Sequence, residues 1–269
     1  MLHMKEKANS NILNPSATSR LLLTLRPGEV VTPDRLRALG VSARLSTHLK
    51  NSGVLSSLGV GAFVRGHEEP SFASAVQALT QQLKLQLHIG GRTALELQGV
   101  SQYLTMGSGQ TAWIFSTKKA KFPLWFAKQQ WGATPRLVQT KFLKQCTTAN
   151  LRTVLVDGFE VPVSRRELAI LETIFLIGKS HRFEEVDELF ESLTTLDASV
   201  LQTLLENCQS IRVCRIFLFL AHKHAHPWIN GINESKIDLG RGKRAVVKGG
   251  KLDARYQITV PVSEVEPDV

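Results

Sequence analysis

The sequence predicts an α+β protein, with an N-terminal winged helix-turn-helix domain followed by a larger mixed α/β domain. Three observations lead there. Three short helix signals with legible caps lie between Asn11 and Gly53; two strand-like runs joined by a glycine loop follow directly; and beyond residue 150 hairpin and helix signals alternate. With 269 residues, 43% of them apolar, the chain is long enough to bury a core in each of two domains. The expected boundaries are 11–67 for the first domain and 71–269 for the second. The second divides further into a basic, aromatic-rich lobe over 71–152 and an α/β lobe over 153–269.

In the first domain, Ser16 or Ser19 can cap a helix whose Leu21, Leu22 and Leu25 form an inward face, and Pro27-Gly28 ends it. Thr32 followed by Pro33 is an N-cap with proline at the first helical position. Leu36 and Leu39 continue the apolar stripe, and Gly40 stands where a left-handed C-terminal residue is wanted. Ser42 can cap a third helix running to about Asn51, with Gly53 as its stop. Projected at 100° per residue, Leu45 and Leu49 face inward, whereas Ala43, Ser46, Thr47 and Lys50 face outward with Arg44 on their flank. That outer face has no acid and no large apolar group, which suits entry into a major groove. Val54–Leu58 and Ala62–Arg65, joined by Gly59-Val60-Gly61, then read as a hairpin wing, with Arg65 and His67 beside the backbone.

In the second domain, Ser71 starts a helix through Phe72, Val76, Leu79 and Leu83 that ends near Ile89-Gly90-Gly91, and a short helix follows from Arg92 to Leu97. Thr111–Thr117 and Leu137–Phe142 look like strands. A hairpin turns at Asp157-Gly158, and Ser164 with Glu167 forms a capping box for a helix to about Ile177. Helices are expected near 183–193, 197–208 and 211–225, the last apolar almost all round. Short strands are expected around Ile237, Ala245–Lys248 and Tyr256–Val260, with Gly249-Gly250 as a tight turn.

The net charge of +10 is unevenly placed: +4 over residues 1–70, +8 over 71–150 and −2 over 151–269. No Asp or Glu occurs between Leu97 and Val156, a stretch holding eight of the 18 aromatic residues. A polyanion is the natural partner of such a half, since phosphate neutralisation supplies most sequence-independent affinity for nucleic acid. An acidic protein would also fit the middle segment, and so would a core of aromatics rimmed by solvated lysines.

Several classes are excluded by what the motifs lack. Gly107-Ser108-Gly109 has no carboxylate after it for nearly fifty positions, so metal-dependent phosphoryl transfer is not expected there. Gly240–Arg244 fails as a phosphate loop and reads as a basic turn. His222, His224 and His226 cannot share one helix face, and with Cys208 and Cys214 they lack structural zinc spacing. Cys146, Cys208 and Cys214 cannot all pair, which fits a reducing compartment. No catalytic residue, metal ligand or cofactor site is assigned, and the expected protein is non-enzymatic. The polar first fifteen residues and the lack of an 18-residue apolar run argue against secretion and membrane spanning, leaving a cytoplasmic location as the expectation.

The chain resembles the AbiEi-type antitoxins, the transcriptional-regulator half of type IV toxin–antitoxin and abortive-infection pairs. The likeness runs from about Asn11 to Pro261. It is carried by Pro27-Gly28 to Thr32, Leu55 to Gly59 with Gly61-Ala62-Phe63, His88 to Leu97, Arg165 to Glu172, Arg215 to Ala221, and Asp238-Leu239-Gly240. The resemblance implies a bacterial phage-defence protein whose winged helix binds inverted repeats in its own promoter and represses the operon. Its C-terminal domain would be an antitoxin domain neutralising a nucleotidyltransferase-like toxin, often without a stable complex. Ala43, Arg44, Ser46, Thr47 and Lys50 are then the expected major-groove residues, with Arg20, Arg35 and Arg65 on phosphates. Two alternatives stay open: an RNA-binding module using the basic aromatic-rich middle, and a protein–protein adaptor with a degenerate winged helix.

Overall fold

The computed structural model describes residues 16–100 and 110–262. Gly107-Ser108-Gly109 and Tyr103 lie outside the described residues. The chain divides into two compact units, Met1–Ser71 and Phe72–Val269.

The first unit opens with helices α1 (Ala17–Thr24), α2 (Pro33–Ala38) and α3 (Ala43–Asn51). Each starts on a hydroxyl: Ser16, Thr32 and Ser42 accept the backbone N–H three residues on, which satisfies a donor the helix cannot. Gly28, Gly40 and Gly53 follow the three helices with φ of 68°, 82° and 74°, a region that non-glycine residues avoid. Leu21, Leu25, Leu36 and Leu49 bury the inner faces together with Val31, Val41 and Leu55, and Leu39, Leu45 and Phe63 pack on that cluster. Leu22, expected inside, is exposed: Leu21 and Leu25 lie one turn apart and leave Leu22 on the flank.

Strands β1 (Leu55–Gly59) and β2 (Ala62–Arg65) form the antiparallel hairpin, with a bulge between Ser57 and Gly59. Val31 pairs with Phe63 by two backbone hydrogen bonds of 2.9 Å, tying the hairpin to the segment before α2. The Pro27-Gly28 turn is held in the same unit, with Gly28 N donating to Glu68 Oε2 at 2.9 Å and Gly28 O accepting from Ser71 N at 3.1 Å.

The second unit begins with α4 (Phe72–Gln77), which continues as a wider π-type turn over Ala78–Gln82. The helical segment stops there. His88–Ile89 is a strand, β3, where the sequence suggested helix; the alternating Leu85, Leu87 and Ile89 are the period-two signal. Next come α5 (Gly91–Leu97), β4 (Thr111–Ser116), an unforeseen short α6 (Leu124–Lys128) and β5 (Thr134–Gln139). Strand β5 starts three residues before the expected Leu137 because it runs parallel to β4 from Thr111↔Thr134 onward. Strands β6 (Leu151–Val156) and β7 (Phe159–Ser164) join through Asp157 and Gly158, both at positive φ, as a two-residue hairpin requires. The sheet order is β5-β4-β3-β7-β6.

Helices α7 (Arg166–Phe175), α8 (Phe183–Glu191), α9 (Ala198–Glu206) and α10 (Ile211–Lys223) follow. Val213 to Ala221 of α10 are buried without interruption, as the apolar sequence requires. Strands β8 (Arg244–Ala245), β9 (Lys251–Asp253) and β10 (Ile258–Val260) make a second small sheet, in the order β8-β10-β9. Ile237 is not in a strand; it follows a single 3-10 turn and is buried.

The expected capping box at Ser164 is absent. Helix α7 starts after Arg165; Glu167 instead accepts from Asp197 N at 3.0 Å, and Ser164 Oγ donates to Glu172 Oε2 at 2.8 Å. Glu172 is the centre of a buried latch. Its Oε2 also accepts from Gly91 N at 2.9 Å, and its Oε1 lies 2.7 Å from His88 Nε2. One carboxylate therefore joins β3, α5, β7 and α7. Gly90 and Gly91 serve it for different reasons: a Cβ on Gly90 would overlap Glu172 Oε2 and the Phe115 ring, whereas Gly91 has φ of 54°. Beside the latch, burial and then the charge of Glu172 push the Cys146 thiol up to about 11.

Candidate nucleic-acid interface

Helix α3 owes its two faces to its spacing. Leu49 is buried and Leu45 is half-buried on the core, while Ala43, Arg44, Thr47 and Lys50 are exposed and Ser46 is half-buried at the margin. His48 and Asn51 are exposed as well and widen the same outer arc; their signal was the 100° projection carried to the end of the helix. No acidic side chain lies on α3, so the positive end of its dipole is uncompensated by any carboxylate of its first turn. Thr47 Oγ1 donates to Ala43 O at 3.1 Å, which fixes the hydroxyl inward and leaves acceptor lone pairs and the methyl outward. A methyl so placed suits the thymine methyl, and an arginine or lysine suits a guanine edge or a phosphate.

The three other expected cations have distinct surroundings. Arg20 is exposed on α1, with its guanidinium over Gly40 at the turn between α2 and α3; a Cβ on Gly40 would lie 3.0 Å from Arg20 Nη2. Arg35 is half-buried on α2. Arg65 is engaged within its own unit: Nη1 donates to Leu22 O at 3.3 Å and Leu25 O at 3.4 Å, and Nε lies 3.4 Å from Glu68 Oε1. It closes the C-terminal end of α1, where carbonyls lack intrahelical partners. His67 is exposed. At the tip of the wing, Val60 is 94% exposed between Gly59 and Gly61, which have φ of 133° and 91°.

The basic middle segment separates into a cationic surface and an aromatic interior. Lys118, Lys119, Lys121, Lys128, Arg136 and Lys141 are exposed, and among the described residues none pairs with a carboxylate. Phe115, Trp125, Phe126, Trp131 and Phe142 are buried, with Phe72, Phe126 and Trp131 packed at centroid distances of 5.2–6.1 Å. Most of the segment's described aromatics are therefore core and closed to base stacking, with Trp113 and Phe122 half-buried. The three C-terminal histidines have separate partners: His222 pairs with Glu234 at 2.7 Å, His224 with Asp187 at 2.8 Å, and His226 meets Phe190 O at 2.9 Å. No helix among the described residues is long and apolar enough to cross a membrane.

Two family models and a solved structure match the chain. Residues 14–106 match the family model described as the AbiEi antitoxin N-terminal domain of a transcriptional regulator, and residues 109–261 match the model for the transcriptional regulator, AbiEi antitoxin, type IV TA system. The chain belongs to the AbiEi antitoxin family. This AbiEi-family chain is also similar in fold to the crystal structure of the RV2827C protein from Mycobacterium tuberculosis, at 15% identity, a TM-score of 0.59 and 91% coverage of each chain. No curated protein matches. The N-terminal family model ends well beyond the first compact unit and takes in α4, β3 and α5, the elements that hold Gly91 and His88 of the latch. The family is one of transcriptional regulators that act as antitoxins in type IV systems.

Proposed function

We propose that residues 16–71 read duplex DNA, with α3 in the major groove and the wing beside it, and that the chain represses its own operon at promoter inverted repeats. Ala43, Arg44, Ser46, Thr47 and Lys50 would meet base edges and flanking phosphates, with Arg20 and Arg35 on the backbone. Arg65 would reach a phosphate only by releasing the α1 carbonyls and Glu68, so its part is to hold the root of the wing. One observation carries this reading: the outer arc of α3 is solvated, acid-free and opposite a buried Leu49. Titration of the full chain onto its own upstream DNA at low salt tests it, and an absence of any shift removes the repressor assignment. An RNA competitor at matched salt separates the RNA alternative, and no affinity for either nucleic acid would favour the adaptor.

The second unit is proposed to oppose a nucleotidyltransferase-like toxin, on the strength of the family match over 109–261. Co-expression of the full chain, with its α3 cations replaced, beside the neighbouring toxin gene tests that part separately from repression. Growth rescue by the DNA-binding-deficient protein is the expected result, and death despite soluble, folded protein defeats it.

A further inference from the structure

The five-stranded sheet ends on β5 at one side and on β6 at the other. The two edges differ. Strand β5 carries Pro135 and Arg136, and proline and charge are devices that keep a sheet edge from pairing with another chain. Strand β6 reads Leu-Arg-Thr-Val-Leu-Val from Leu151 to Val156, with no proline, no glycine and no bulge in its register. Thr153 faces solvent and Leu155 is 67% exposed.

The hairpin turn fixes which backbone groups of β6 are left over. Asp157 and Gly158 are both at positive φ, so Val156 and Phe159 close the turn as a hydrogen-bonded pair. Bonded and non-bonded pairs alternate from there. Arg152 and Val154 bond to β7, while Leu151, Thr153 and Leu155 turn their backbone groups outward. Pro162, which has no N–H to give, accordingly stands opposite Thr153. Leu151 N donates to Thr148 O. Among the described residues, the N–H and C=O groups of Thr153 and Leu155 and the C=O of Leu151 have no partner.

The outward set, Leu151, Thr153 and Leu155, reads the same in both directions. An antiparallel copy centred on Thr153 would exchange two hydrogen bonds with the partner's Thr153. Each Leu155 N–H would donate to the partner's Leu151 C=O, adding two more. The same register sets leucine beside leucine and threonine beside threonine on one face. Arg152, the only charge on the strand, lies on the opposite face and would meet the partner's Val154, not a second arginine. Any extended peptide could satisfy the backbone, but this symmetry of side chains selects a second copy.

We infer that β6 is the docking edge for a second copy of this chain, joining the two sheets into one about a two-fold axis at Thr153. The association needs neither DNA nor toxin. Sedimentation equilibrium of the full chain alone, from about 5 to 500 μM, should show reversible dimerisation with a dissociation constant of about 100 μM or below. Residue-resolved hydrogen exchange at the Thr153 and Leu155 amides should slow about tenfold or more in concentrated protein, whereas Arg152 and Val154 are slow throughout. Leu155→Lys, Thr153→Lys and Thr153→Glu should each weaken association about tenfold or more, with the melting temperature of dilute protein kept within about 2 °C. Mixing the Thr153→Lys and Thr153→Glu chains should restore it, because the axis sets opposite charges side by side. A chain still monomeric at about 500 μM overturns the inference. So does a dimer whose Thr153 and Leu155 amides exchange as in the monomer, one that all three variants leave intact, or a mixture no more associated than its components.

Discussion

Helix α3 holds Arg44, Thr47 and Lys50 in water with no carboxylate beside them, whereas helix α7 holds Glu167 and Glu172 in the interior with their oxygens partnered. The first unit is built mainly from hydroxyl caps and left-handed glycines, which act over a few residues, around one leucine-rich cluster drawn from Leu21 to Leu55, with Arg65 and Glu68 as its long-range polar ties. The second depends on polar side chains that reach far along the chain. Glu172 meets His88 and Gly91, and Arg215 donates to Leu239 O at 2.7 Å and Gly242 O at 2.6 Å. Polar groups that face solvent are available to a partner. Polar groups that face the core define which strands and helices belong together. Polar side chains thus stay solvated on α3 in one unit and tie the fold together in the other.

Substitutions should separate these roles. The largest effect is expected at Glu172→Ala, which strands Gly91 N, Ser164 Oγ and His88 in a site where the carboxylate is 2% exposed. A loss of about 3–5 kcal/mol in denaturant unfolding is expected, with Glu172→Gln milder. Next, Ser42→Ala should cost about 1 kcal/mol of stability by uncapping α3. Lys50→Ala, in contrast, should leave stability within about 0.5 kcal/mol, weaken binding to all duplex sequences and lower the salt slope by about one. Thr47→Val keeps the methyl but not the hydroxyl and should alter sequence preference more than total affinity, read by anisotropy on operator variants. If Lys50→Ala were as destabilising as Glu172→Ala, or left DNA binding untouched, the contrast between the units would collapse.

The smallest effect concerns pH. Burial, then Arg92, lowers the proton affinity of His181 in the native state. Between that lowered value and the ordinary histidine value of about 6.5, the unfolded chain binds the proton and the native chain does not. Stability from this group is therefore complete above that range and declines as the pH falls through it. Denaturation of His181→Gln at about pH 7 and about pH 5.5 should show a smaller pH difference than the parent chain. A difference as large in the variant would assign the acid sensitivity elsewhere.

The first unit was legible in the sequence because its rules are local. Ser42, Gly40 and Gly53 announce α3 within a dozen positions, and Gly59-Val60-Gly61 announces the wing. The apolar stripe of the first helix misplaced Leu22 on the inward face, since a helix of eight residues with three successive leucines has more apolar groups than inward positions. Arg65 was legible as a cation but not as a cap for carbonyls some forty residues earlier. In the second unit the hairpin at Asp157-Gly158 and the apolar α10 could be read, but Ser164 and Glu167 could not. Both fit a capping box by spacing, and both are drawn off by partners that only the tertiary fold supplies. Strand β3 is two residues long and exists because β4 and β7 flank it.

The crowding at Gly90 reaches beyond the single molecule. Even the smallest side chain there would collide with both Glu172 and Phe115. A descendant could accept alanine at this position only by trimming both neighbours together, and trimming either one first would open a hole or strip the carboxylate from its donors. Drift at the three sites should therefore be correlated, with intermediates scarce among living relatives.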